Sequence, residues 1–139
     1  PEGVWFDFFT NEKYEGAREY TIECPFERYP VFVKEGGIIP LLHANGNSTE
    51  FKDIELKVYL GNNVYTMFDE QGKISVAMKK DESGCDVIII PDGVKTESLT
   101  LSFAGVKDAD VFVNEQKSSL ENLAKMPCKP MKIRVENAR

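Results

Sequence analysis

Apolar and polar residues alternate with a period of two through most of the second half of this chain, and turn-forming clusters punctuate the alternation. Ile54, Leu56, Val58 and Leu60 alternate with Glu55, Lys57 and Tyr59, and Ile74, Val76 and Met78 with Ser75, Ala77 and Lys79. Leu99, Leu101 and Phe103 alternate with Thr100 and Ser102, Val111 and Val113 bracket Phe112, and Met131, Ile133 and Val135 alternate with Lys132 and Arg134. Successive side chains of a strand point to opposite faces, so each run predicts a half-buried strand. Val87-Ile88-Ile89-Ile90 is unbroken and reads as a strand covered on both faces. The intervening turns are Asn45-Gly46-Asn47, Gly61-Asn62-Asn63, Asp69-Glu70-Gln71-Gly72, Glu82-Ser83-Gly84 and Pro91-Asp92-Gly93. Short strands at this spacing predict an all-β fold, an antiparallel sandwich. Helix signal is confined to residues 118–125, where Ser119 is placed to cap a turn carrying Leu120 and Leu123.

The 139 residues suffice for an ordinary hydrophobic core but not for a catalytic barrel of about 250 residues. Seventeen basic against 23 acidic residues leave a net charge of −6, which repels phosphate backbones and anionic surfaces. No nucleic-acid partner is expected. No apolar run approaches the roughly 20 residues of a membrane span, so no membrane partner is expected either. Pro1-Glu2-Gly3 followed at once by Val4-Trp5-Phe6 opens almost inside a strand, which reads as a cut. Polar, aperiodic residues 43–53 read as a linker. It separates an aromatic-rich segment, holding Trp5 and, with Phe51 at its edge, six of the nine phenylalanines, from the more regular aliphatic part.

Residues with chemical potential are sparse. Cys24, Cys85 and Cys128 lack metal-ligand spacing and read as buried free thiols. The lone histidine, His43, has no second histidine and no fixed carboxylate partner, so it reads as a loop residue. Gly36-Gly37 has no helix behind it to receive phosphate and reads as a bend or bulge. The acidic pairs Asp69-Glu70, Asp81-Glu82 and Asp108 with Asp110 lie in or beside turns, where water keeps both members ionised. Asn47-Ser48-Thr49 matches the N-glycosylation acceptor pattern. Trp5, Phe6, Phe8, Phe9 and Tyr14 read as strands packed around a hairpin loop at Thr10-Asn11-Glu12-Lys13. The competing reading is a carbohydrate-binding surface, which needs exposed rings in a coplanar row.

One segment carries a resemblance. PEGVWFDFFTNEKYEG followed by CPFERYPVFVKEGGIIPL resembles the stretch after the catalytic barrel in glycoside hydrolase family 31, the α-glucosidases and α-xylosidases. Trp5, Asp7, Thr10, Gly16, Pro25, Pro30, Phe32, Gly36, Ile38, Ile39 and Pro40 fall in register with that pattern, while Phe9, Asn11, Ala17 and Lys34 depart from it. Downstream, Tyr65 through Gly72 is similar to a turn of the family's distal C-terminal sandwich, with Gln71 in place of an Asp.

The resemblance implies two modules, residues 1–46 as the end of a proximal β domain and residues 47–139 as a distal β-sandwich. It implies a non-catalytic accessory role, with the catalytic barrel of the same longer chain as partner and at most weak glycan contact. The two catalytic aspartates of that family sit on barrel loops, and no position here matches either motif. Catalytic, cofactor-binding and metal-binding residues are accordingly expected to be none, and no cofactor is expected. The longer chain would be a retaining α-glycosidase, and these residues alone would be inactive.

Overall fold

The computed structural model describes residues 1–42 and 52–139. Thirteen strands follow in order: β1 (Val4–Asp7), β2 (Lys13–Glu15), β3 (Phe32–Lys34), β4 (Ile38–Leu42), β5 (Asp53–Val58), β6 (Asn63–Phe68), β7 (Lys73–Lys80), β8 (Gly84–Asp92), β9 (Ser98–Phe103), β10 (Asp110–Val113), β11 (Gln116–Ser118), β12 (Met126–Pro127) and β13 (Met131–Glu136). Among the described residues one 3-10 turn is found, at Glu121–Leu123. The chain is all-β, as the alternation predicts.

Three sheets form, in the orders β2-β1-β3, β11-β10-β13-β8-β7-β6 and β12-β9-β5-β4. The six- and four-stranded sheets face each other as a sandwich. Ile54, Leu56 and Val58 of β5 and Leu99, Leu101 and Phe103 of β9 pack with Ile74, Val76 and Met78 of β7, Val87 and Ile89 of β8, and Ile133 and Val135 of β13. Each such side chain contributes about 1.5 to 3 kcal/mol when fully removed from water, which is the main term holding the two sheets together. Among the described residues every strand pair is antiparallel except β5 with β9. The chain between those two strands crosses to the other sheet and builds β6, β7 and β8 before returning, so the two strands run the same way.

Aspartate sets the hairpin turns. Asp69 Oδ1 accepts from the amides of Gln71 and Gly72, and Asp81 Oδ1 accepts from those of Ser83 and Gly84. In both, the aspartate amide donates back to the glycine carbonyl, closing the same four-residue turn. Asn114 and Glu115, at φ 49° and 70°, make the two-residue turn between β10 and β11.

Four local expectations change. Val87 and Ile89 are buried, but Ile88 and Ile90 stand exposed, so β8 is covered on one face only. Tyr59, expected on the polar face of β5, is only 1% exposed, because the three-stranded sheet lies over it. Ser119 makes no side-chain cap; its carbonyl accepts from Asn122, and the helical turn is held by the burial of Leu123. Cys24 is exposed and Cys128 half-buried, leaving Cys85 as the one buried thiol of the three.

The three-stranded sheet is docked on the outside of the sandwich. Phe6 and Val33 pair across β1 and β3 and face inward, and the Phe6 ring lies 5.5 Å from that of Tyr59. Lys57 reaches across to donate to the Phe8 carbonyl at 2.5 Å, with its ammonium 4.3 Å from the Phe8 ring. Lys80 pairs with Glu35 at 2.6 Å. Between the two units, Gly36 (φ 88°) turns the chain from β3 into β4, and its amide donates to the Tyr59 carbonyl. A side chain there would meet the Asn62 carbonyl oxygen at 2.9 Å, and one on Gly37 would meet Val33 Cγ1 at 2.4 Å. Glycine is therefore required by crowding as well as by backbone sign. β4 lies on the N-terminal side of residue 46, yet it pairs along its whole length with β5 and gives Ile38 to the sandwich core.

Candidate functional site

Asp69 and Asp81 are brought into turns that engage their carboxylates. Asp69 spends one carboxylate oxygen on its own turn and the other on the Lys95 amide at 2.6 Å, while Glu70 pairs with the Lys95 ammonium at 2.9 Å. Burial alone would raise the Asp69 pKa, but the amides of Gln71, Gly72, Lys95 and Thr96 outweigh it and hold the carboxyl below its usual value. Asp81 is lowered further. The Arg134 guanidinium grips it with two bonds of 2.9 Å, and the Ser83 hydroxyl and the Ser83 and Gly84 amides add to that. Asp110 accepts from the Asn137 side chain at 2.8 Å, and Asp108 exchanges backbone bonds with Arg139. A general acid in glycoside hydrolysis needs a carboxyl raised toward neutrality, and both shifts resolved in these pairs run the opposite way.

Arg134 sits in a small acidic cluster on the outer face of the six-stranded sheet. Besides Asp81, it lies 3.4 Å from Asp86 and 3.1 Å from Glu136. The cation is thus surrounded and shares its donors among three carboxylates, which ties β13 to the β7–β8 turn. Burial pushes the Cys85 and Cys128 thiols above the usual range, away from the thiolate form. Among the described residues no three His, Cys, Asp or Glu side chains converge on a metal-sized site. No helix there is long and apolar enough to cross a membrane. His43 and the Asn47 acceptor pattern lie outside the described residues.

The feature with the shape of a site is an aromatic cleft on the outward face of the three-stranded sheet. β1 turns Phe6 toward the sandwich and Trp5 away from it. Trp5, Tyr14, Tyr20, Ile22 and Phe32 line a cleft of about 390 Å³, with Glu15 and Arg18 at the rim. Trp5 pairs with Tyr14 across β1 and β2, and the Tyr14 ring meets those of Tyr20 and Phe32 edge-on, at 80° and 89°. The Tyr20 hydroxyl anchors its loop by bonding the backbone of Glu15. Trp5 Nε1 is covered and has no hydrogen-bond partner.

The excursion between β2 and β3 leaves Phe26 and Tyr29 exposed, and Arg28 lies over the Phe9 ring at 4.9 Å. Phe8 and Phe9 also meet at 90°. Perpendicular rings pack edge against face, whereas a sugar platform requires parallel faces open to solvent. Phe8, Phe9, Tyr14, Tyr20 and Phe32 thus pack edge against face, whereas Phe26 and Tyr29 stand in solvent. The density of the aromatic segment was visible in the sequence, but its division into a docked face and an open one was not, because the docking partners Lys57 and Tyr59 lie some fifty residues away.

Residues 1–39 match the family described as glycosyl hydrolase family 31 C-terminal domain. An α-xylosidase from Saccharolobus solfataricus is 41% identical over 71 residues, covering 49% of this chain and 10% of that protein. Alpha-glucosidase 2 from Bacillus thermoamyloliquefaciens is 27% identical over 120 residues, covering 75% of this chain and 15% of that protein. The chain thus spans 10 to 15% of the length of these relatives. A cycloalternan-forming enzyme from Listeria monocytogenes, solved with a pentasaccharide substrate, superposes over 100% of this chain and 16% of its own. Its TM-score is 0.74 at 16% identity, a likeness of fold. With residues 1–39 matching that C-terminal domain and the fold shared along its whole length, the chain resembles the C-terminal β-sandwich region of glycoside hydrolase family 31.

Proposed function

We propose that this chain is a non-catalytic accessory module that braces the catalytic barrel of a longer family 31 α-glycosidase, an α-glucosidase or α-xylosidase. One observation carries the reading. The three-stranded sheet fixes one face to the sandwich, while on its other face Trp5, Tyr14 and Phe32 line an open cleft, and the excursion between β2 and β3 leaves Phe26 and Tyr29 exposed. Apolar surface of that kind on a rigid support is a docking face, and covering it stabilises at about 25 cal/mol per Å² before ordering costs. Glycan stacking has less support because the rings meet edge-on. We also propose residues 1–46 and 47–139 as the two modules, with β4 lent by the first to the sheet of the second; truncation at either side of β4 tests that division.

Phe26→Glu with Tyr29→Glu tests the bracing. In the 139-residue chain, where both rings face water, the pair of changes should move stability by no more than about 0.5 kcal/mol. In the longer enzyme it should shorten the half-life of activity on heating. Asp69→Asn with Glu70→Gln should leave turnover of chromogenic α-glucosides and α-xylosides intact in the longer enzyme, and the 139-residue chain should turn over neither. Heat stability untouched by the glutamates, or hydrolysis by the 139-residue chain above a heat-killed control, would sink the proposal.

A further inference from the structure

The six-stranded sheet ends on β6, and no strand among the described residues pairs with the outer edge of β6. An open edge presents unpaired backbone donors and acceptors, and proteins blunt such edges with charge, proline or brevity. Every other edge strand here is blunted. β2 is three residues long and carries Lys13 and Glu15; β3 is three residues long and ends on Lys34; β11 is three residues long with Lys117 at its centre. In the four-stranded sheet, β4 holds Pro40, and β12 is two residues long and ends on Pro127. β6 is six residues, Asn-Val-Tyr-Thr-Met-Phe, with neither charge nor proline. In a chain that is 29% charged, that edge is the exception.

We propose that β6 is a self-association edge, on which a second copy of this chain pairs its own β6 antiparallel about a two-fold axis through Thr66. An axis perpendicular to the sheet keeps each face on its own side, so only residues of the same face can meet across it. Centred on Thr66, the pairing sets Val64 opposite the partner's Phe68, Thr66 opposite Thr66, and Tyr65 opposite Met67. Aromatic against β-branched and threonine against threonine are favourable cross-strand pairs. Val64 and Phe68 are 77% and 73% exposed in the single chain, and in this register they cover each other twice.

The face behind them continues the band. Val64, Ala77 and Ile88 share one register row, and Thr66, Ser75 and Ile90 the next, with Ile88 and Ile90 exposed. Charge favours a copy as occupant, because identical strands bearing any charge near the axis would oppose like to like, and β6 bears none. The remaining repulsion comes from the net charge of −6 and is screened by salt. A single strand pair buries less than the roughly 1,200 Å² of a standard stable interface, so the dimer is concentration-dependent. Growth stops at two because the sheet's other edge, β11, is short and charged.

Sedimentation velocity on the 139-residue chain, from micromolar to millimolar loading and at low and high salt, tests this. The weight-average mass should climb from 15.7 kDa toward twice that value, further in high salt. Thr66→Lys and Thr66→Glu, at an exposed position, should each stay at the monomer mass with an unchanged far-ultraviolet spectrum. An equimolar mixture of the two should associate again, because lysine then faces glutamate across the axis. A constant wild-type mass, charged variants that associate as the wild type does, or a mixture that stays monomeric would overturn the proposal. Deuterium uptake at residues 63–68 should slow only as dimer forms. Equally slow uptake in the Thr66→Lys monomer would mean that the edge is already covered within one chain, and would exclude the second copy.

Discussion

The three-stranded sheet and the sandwich are built from the same element and differ in what their strands can bury. In the sandwich, strands such as β7 read buried, half-buried, buried in strict alternation, and its two sheets close over each other. In the three-stranded sheet, Val33 is the one buried hydrophobic side chain, and the aromatic residues of β1 are only half-covered. Both regions are rich in apolar residues. What separates them is a second sheet to close against, so composition alone does not make a core. The small sheet substitutes contacts with the sandwich on one face and leaves the other face open.

Paired substitutions test that contrast most strongly. Leu56, fully buried between the sheets, should lose about 2 to 5 kcal/mol on change to alanine. Trp5 is larger, but it lines an open cleft and lies outside the core cluster, so Trp5→Ala should cost clearly less in this chain. Urea unfolding followed by far-ultraviolet circular dichroism measures both. An equal or greater loss at Trp5 would break the comparison by making the small sheet part of the core.

Truncation sharpens the boundary between the regions. A chain of residues 36–139 keeps β4 and should unfold cooperatively. A chain of residues 47–139 should fold too, but with the burial of Ile38 and the β4–β5 ladder lost, it should be less stable by at least the roughly 1.5 to 3 kcal/mol of one buried isoleucine. Equal midpoints in urea for the two chains would make β4 a passenger and put the division at residue 46 in energy as well as in sequence.

The sandwich was legible because period-two alternation records which face of a strand meets a core, and the strands of Ile54, Ile74, Leu99 and Met131 appear where it places them. The turns were legible because Asp-x-x-Gly states its own hydrogen bonds, which places Asp69 and Asp81 as turn residues. Alternation is silent on what lies over the other face. Tyr59 reads as outward yet is buried by a sheet from the far end of the chain, and Ile88 and Ile90 read as covered yet face outward. Those outcomes depend on tertiary contacts between distant segments, which no local pattern encodes. The open β6 edge was hidden for the same reason, since strand order belongs to the assembled sheet.

Lys57 gives a small effect on stability and the most selective test of docking. Its ammonium bonds the Phe8 carbonyl and lies near the Phe8 and Tyr59 rings, which favours the charged form at the junction. Burial opposes that and prevails over the charges of Glu55 and Asp7, so the amine's pKa is lowered. Lys57→Met keeps the length of the side chain and its packing, removes the cost of burying charge, and leaves the Phe8 carbonyl without this donor. The opposing changes should leave global stability within about 1 kcal/mol of the wild type. The docked sheet should nevertheless loosen first. Trp5 is the single tryptophan and sits in that sheet, so its fluorescence reports docking, while circular dichroism is dominated by the sandwich. In the wild type the two signals should change together in urea, as expected of one cooperative unit. In Lys57→Met the fluorescence transition should come at lower urea than the dichroism transition. Coincident transitions in the variant would mean that Phe6, Tyr59 and the Glu35–Lys80 pair hold the sheet without Lys57, and that the two regions are one unit despite their unequal cores.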